Sequence, residues 1–161
     1  MNDCLKLSPV GDCSTGKHGP IDNWDVSQVD NIGYLFFTAS EFNGNVSTWD
    51  VSKVKDTQCM FYGAGAFDQD LSKWDVSKVT YMQEMFELAT AFNQDLSKWD
   101  ISQVTSIARM FFRASSFEQV LCGEAWVKFT KSNTYLHASH TLFYLSAGEI
   151  SETCGMCGSL T

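Results

Sequence analysis

The side chains able to do chemistry in this 161-residue chain form a regular group and an irregular one. In the regular group, Asp25, Asp50, Asp75 and Asp100 recur every 25 residues, each followed two positions later by Ser27, Ser52, Ser77 or Ser102. A carboxylate row could gather cations, but calcium asks for roughly six to eight oxygens, and each rung offers one carboxylate and one hydroxyl. The Asp-x-Ser spacing fits a structural use better. The carboxylate can accept the backbone N–H two residues on, a charge-assisted bond worth roughly 1.5–3 kcal/mol. That offsets the repulsion of like charges about 5 Å apart, about 1 kcal/mol in water and about 3 at an effective dielectric of 20. Lys73 and Lys98 fall on the same face and add to the compensation.

The irregular group lies mostly at the chain ends. His137-x-x-His140 and Cys154-x-x-Cys157 have the ligand types of a tetrahedral zinc site. Disulfides are the favoured outcome for the end cysteines, Cys4, Cys13, Cys122, Cys154 and Cys157, so no metal and no cofactor is expected. Cys4 pairs most naturally with Cys13, its neighbour in the N-terminal segment. Nucleophilic catalysis needs a positioned base, and the three histidines, His18, His137 and His140, all lie outside the regular columns. With no glycine-rich phosphate loop either, the expectation is a protein that is not an enzyme. Asn45-Val46-Ser47 has the form of a glycosylation sequon, yet Asp70 and Asp95 occupy the same column, so Asn45 reads as one turn former among three.

The elements that position these groups follow from the period. Trp24, Trp49, Trp74 and Trp99 share it, as do Val29, Val54, Val79 and Val104, and Phe36, Phe61, Phe86 and Phe111. Ala39, Ala64, Ala89 and Ala114 join them, with Phe42, Phe67, Phe92 and Phe117. Within the third unit, Leu71, Trp74 and Val76 predict a short strand with Lys73, Asp75 and Ser77 outward. Thr80 and Gln83 then suggest a capping box, and Val79, Met82, Phe86 and Ala89 have the spacing of a short helix. The fold expected is α/β: a right-handed leucine-rich-repeat-like solenoid with one short strand and one short helix per 25-residue repeat. A lone repeat cannot bury its Trp and Phe, so stacking must do so, with the Trp column as main support.

The expected organisation is one solenoid domain over residues 1–161: an N-terminal cap over 1–20, four repeats over 21–121, and a C-terminal cap over 122–161. Glu124 stands where a fifth Trp would fall. In the second repeat, Thr57 replaces Ile or Met and Cys59 has no counterpart, which predicts looser packing there. Phe37, Tyr62 and Phe112 form an outer aromatic column broken by Glu87, expected to lie against the return loops.

The segments Asp70-Leu-Ser-Lys-Trp-Asp-Val-Ser-Lys-Val-Thr80, Met82-Gln-Glu-Met-Phe86 and Ala91-Phe-Asn-Gln-Asp-Leu96 resemble the BspA-like leucine-rich-repeat surface proteins. The likeness is to their 25/26-residue type, found in bacterial surface lipoproteins and also predicted in microalgae, and runs from about Ile21 to Cys122. It implies an adhesion or binding module with diverse ligands, and says little about which one.

Composition narrows the partners. A formal charge of −8 with no compensating basic run excludes nucleic acid, and no stretch approaches the roughly 20 apolar residues of a membrane span. The function expected is a non-enzymatic binding or adhesion module of a cell-surface or secreted protein, for a protein or glycan ligand. Its platform would be the strand face carrying Thr48, Lys73, Lys98 and the Asp and Ser ladders. The alternative is a structural assembly subunit, of a layer or particle, associating through its caps or the outer aromatic column.

Overall fold

The computed structural model describes residues 2–122 and 124–132. They comprise a helix α1 (Asn2–Leu7), one 3-10 turn (Ile21–Asn23), four successive 25-residue turns of chain, and a helix α2 (Glu124–Ser132). The expected α/β solenoid of strand plus helix is not what folds. Among the described residues the repeats contain no strand and no α-helix, only the 3-10 turn at Ile21–Asn23. Three isolated parallel bridges, Asn31 to Asp56, Asp56 to Tyr81 and Tyr81 to Ser106, are all the β pairing among the described residues.

The local reasons are visible in the hydrogen bonds. The segment expected to be a strand is a pair of tight corners, with Trp74 N–H donating to Leu71 O and Val79 N–H to Val76 O. Corners place Leu71, Trp74 and Val76 inside and Lys73 and Asp75 outside, so the burial alternates without a pleated backbone. The segment expected to be a helix fails because alternate N–H groups bond the next turn. Phe36 donates to Met60 O, Phe61 to Met85 O and Phe86 to Met110 O, while the residues between close short turns, as Leu35 N–H does to Ile32 O. A continuous helix would need those donors within its own ladder. The capping box does not form either: Thr80 Oγ1 donates to Lys55 O, and Gln83 Oε1 is buried without a hydrogen-bond partner.

Each turn is stitched to the next at the 25-residue interval, and the core runs along the stack. Its main column is phenylalanine, not tryptophan. Phe36, Phe61, Phe86 and Phe111 stack with centroids 5.4, 5.6 and 5.7 Å apart, and Phe42, Phe67, Phe92 and Phe117 form a parallel column at 5.8–5.9 Å. The tryptophans act as pins. Trp49, Trp74 and Trp99 each donate Nε1–H to the carbonyl 28 residues back, Ile21, Val46 and Leu71, at 2.9–3.0 Å. Each of these carbonyls also accepts the backbone N–H three residues on, so the buried indole satisfies its one polar atom on an oxygen that has a second lone pair to give.

The ends differ from the middle. The cap before the first turn is closed by a Cys4–Cys13 disulfide and held by Asn43 N–H donating to Val10 O. Gly11, at φ +90°, and Gly44 flank the Phe42 ring so closely that a Cβ on either would collide with it. At the far end Trp126, on α2, donates Nε1–H to Leu96 O at 3.0 Å and is fully buried. It takes over the pinning role two residues past the vacant Trp column. Thr57 is also buried, its hydroxyl donating to Tyr81 O, so the polar substitution in an apolar column is satisfied.

Candidate functional site

The Asp and Ser ladders form one flank of the stack. Oδ1 of Asp25, Asp50, Asp75 and Asp100 accepts the N–H of Ser27, Ser52, Ser77 and Ser102 at 3.0–3.1 Å, and Ser77 Oγ adds a bond of 2.6 Å to Asp75. Asn45, Asp70 and Asp95 make the same turn with Ser47, Ser72 and Ser97. The serine hydroxyl and then the serine N–H hold Asp25, Asp50 and Asp75 below the usual carboxylate range. Lys53 and Lys78, beside these carboxylates, reinforce the shift, whereas Lys73 acts on Asp70. The ladder is therefore a set of Asx corners with one acceptor oxygen of each rung committed. Lys73 and Lys98 stand exposed beside it, and Thr48 Oγ1 donates to Asp22 O.

No group of three potential metal ligands converges among the described residues. Cys59 is buried, and that burial pushes its thiol up to about 11, a poor nucleophile at neutral pH. Cys122 is half-buried, and neither thiol is paired among the described residues. His137, His140, Cys154 and Cys157 lie outside the described residues. His18 packs edge-on against Trp24 at 5.9 Å beside an open depression of about 420 Å³ lined also by Asn23, Asp25 and Val26. A second depression of about 580 Å³, between the last turn and α2, is lined by Lys98, Asp100, Glu124 and Lys128 among others. Neither holds a nucleophile paired with a base.

Sequence reasoning passed over a second ladder. Oδ1 of Asn43, Asp68 and Asn93 accepts the N–H of Asp68, Asn93 and Glu118 one turn on, at 2.9–3.0 Å. Nε2 of Gln69, Gln94 and Gln119 donates back to the same residues. The signal was Phe67-Asp-Gln-Asp and Phe92-Asn-Gln-Asp at the 25-residue interval, with Phe42-Asn and Phe117-Glu-Gln as partial copies in the flanking turns.

The other flank behaves differently. In each of the four turns two residues adopt left-handed backbone: Tyr34 and Thr38, Cys59 and Gly63, Glu84 and Leu88, Arg109 and Arg113, all with φ between 53° and 66°. A side chain in this region costs about 1–2 kcal/mol per residue, and glycine would cost almost none. One of the eight is glycine, and the seven others are six different residue types. The neighbouring column varies as well, through Phe37, Tyr62, Glu87 and Phe112. Phe37 stacks on Tyr62 at 4.9 Å, with Tyr34 tilted against Phe37 at 5.7 Å. Phe37 is 45% exposed and Tyr34 53%. Cys59 Sγ lies 3.5 Å from Glu84 Oε2, and Arg109 grips the buried Glu87 through Nε, at 2.7 Å, and Nη2. The Arg109 guanidinium also lies over Phe112 at 4.3 Å and that of Arg113 at 5.2 Å.

No curated protein and no solved structure shows significant similarity to the chain. A protein-family comparison does match, from residue 8 of the N-terminal cap to Trp126 in α2, most of the chain and all four turns. The matched span ends on the residue that seals the stack, so the chain belongs to the family described as Mycoplasma protein of unknown function, DUF285.

Proposed function

We propose that the chain is a non-enzymatic binding module of a cell-surface or secreted protein, acting through the flanks of its stack. Membership in the DUF285 family supports a surface-type repeat protein in this coarse sense, and nothing in it is specific to leucine-rich repeats. The observation that carries the reading is the closure of the stack by non-repeating elements, the disulfide-tied N-terminal cap and the Trp126 helix. With the ends occupied, the repeated side chains of the flanks form the broad surface open to a partner, and stacked repeats recognise ligands through such surfaces more than through pockets. The charge of −8 disfavours nucleic acid and anionic lipid, and no helix among the described residues is long and apolar enough to cross a membrane. On the uniform flank, Lys73, Lys98, Thr48 and the outer carboxylate oxygens of the Asp ladder would make the contacts.

The test is an array of glycans and extracellular proteins probed with the intact chain, with and without calcium. Saturable binding to one class, lost on Lys73→Ser/Lys98→Ser, supports the uniform flank as platform. The competing assembly reading is favoured instead if nothing on the array binds while sedimentation at rising concentration shows growing oligomers.

A further inference from the structure

We infer that selectivity resides on the irregular flank, where Tyr34, Phe37, Tyr62, Glu84, Arg109 and Arg113 form a contact surface for an extended, acidic segment of a partner protein. This deepens the proposed binding role and rests on it. The first ground is energetic. Left-handed backbone at the same two places in every turn makes glycine the residue of lowest cost there, yet seven of eight positions carry side chains, differing from turn to turn. The Asp, Ser, Trp and Phe columns do the opposite, repeating unchanged wherever a corner or the core requires them. Where such a side chain is neither repeated nor buried, as at Tyr34 and Arg113, it serves something other than the stack.

The second ground is chemical. Phe37 and Tyr62 stack on each other at 4.9 Å while Phe37 stays 45% exposed, an apolar surface suited to aliphatic side chains. Tyr, Phe and Arg are also the types enriched at the centres of protein interfaces. The third ground is charge. Arg109 and Arg113 are the only arginines in the sequence, and both lie over the Phe112 ring at the far end of this flank. The buried Glu87 already takes the Nε and Nη2 side of Arg109, so a partner carboxylate would meet Arg113, whose planar fork suits one. From the aromatic end to the arginine end is three turns, roughly 15 Å at about 5 Å per turn, a distance an extended peptide covers in about five residues. The partner therefore presents an aliphatic or aromatic residue and, about five residues away, a carboxylate.

The test is panning a phage library of random dodecapeptides against the intact chain, with the enriched peptides measured on variants. Selected sequences should pair an apolar residue with Asp or Glu about five positions away. Their binding should fall at least tenfold on Phe37→Ser and on Arg113→Gly, and stay within twofold on Lys17→Ser, at an exposed residue of the N-terminal cap. Arg113→Gly relieves a left-handed residue, so its melting temperature should be no lower than the parent's, which separates lost contact from lost fold. Basic peptides, peptides that lose binding on Lys73→Ser/Lys98→Ser but not on Phe37→Ser, or no enrichment would overturn the inference. The last result leaves the binding role to the array, where a glycan lost on Phe37→Ser would assign this flank to saccharide and not to protein.

Discussion

If the tryptophans pin one turn to the next, the same substitution must cost very different amounts along one column. Trp74 is 4% exposed, its ring leans on Phe61 at 6.4 Å, and its Nε1–H donates to Val46 O in the core. Trp74→Phe keeps most of the apolar area and leaves Val46 O its bond from Trp49 N–H, so it loses one net hydrogen bond, about 0.5–1.5 kcal/mol, with a further ~1 kcal/mol for the smaller ring. Trp74→Ala removes the packing as well and should cost about 3–5 kcal/mol. Trp24, in the first turn, is only part-buried and donates to Gly19 O at the cap edge, where water can replace the indole. Trp24→Phe should therefore cost under about 1 kcal/mol. Trp126→Phe should behave like Trp74→Phe, since Trp126 is fully buried and pins Leu96 O. Equilibrium urea unfolding reads these differences, and melting temperatures should drop by about 2–4 °C per kcal/mol. Equal losses for Trp24→Phe and Trp74→Phe, or a Trp74→Phe variant within about 0.5 kcal/mol of the parent, would refute the pin mechanism.

The Cys4–Cys13 bridge spans nine residues, so replacing both by Ala should lower stability by about 2.5 kcal/mol in the chain-entropy account; denaturant unfolding that shows no change would mean the cap is held by its docking onto Phe42 alone. Cys59 is buried with its thiol pushed up to about 11, so iodoacetamide at pH 8 followed by peptide mapping should leave it unmodified in the folded protein while Cys122 is labelled. Labelling of Cys59 before Cys122 would contradict its burial. Asp25, Asp50, Asp70 and Asp75 are all held below their ordinary range by serine hydrogen bonds. A depressed folded pKa contributes stability above the unfolded value near 3.9 and loses it as pH falls through the folded pKa, so melting temperature should decline below about pH 4. Asp50→Asn/Asp75→Asn keeps the Oδ1 acceptors, so it should leave the melting temperature at pH 7 nearly unchanged and flatten that acid limb; an undiminished acid limb would exclude these carboxylates as its source.

Periodicity made the inward columns legible. Phe36, Phe42, Trp49, Leu71 and Val76 are buried as their 25-residue spacing required, because identical residues at a fixed interval can share one environment only if the turns stack. The backbone between them was not legible, since a corner closed by Asp75 and Ser77 alternates inside and outside as a pleated strand does. Likewise Val79, Met82, Phe86 and Ala89 recur at helical spacing, but Glu84 and Leu88 between them are left-handed, a state no propensity assigns to either residue. Trp126 escaped notice because it pins the stack two residues out of register, which position counting rejects and geometry accepts. On the uniform flank the Asx bonds of Asp25 to Ser27 and Asp50 to Ser52 were legible, since both partners sit within three residues. The irregular flank was not, because its meaning lies in backbone strain.

These two flanks divide the work of the molecule along physical lines. An Asx corner is local, needing only Asp and Ser two residues apart, so it can be copied into every turn without regard to neighbours. The left-handed pairs are held in place from outside: Phe36 N–H to Met60 O and Thr38 N–H to Tyr62 O fix the path of the first turn against the second, whatever side chain Tyr34 or Thr38 carries. Once the interturn bonds set the backbone there, the side chain is released from any part in forming the turn. The residues with least say in the fold thus stand where the surface is most varied, and change there alters what is touched while the phenylalanine columns keep the stack intact.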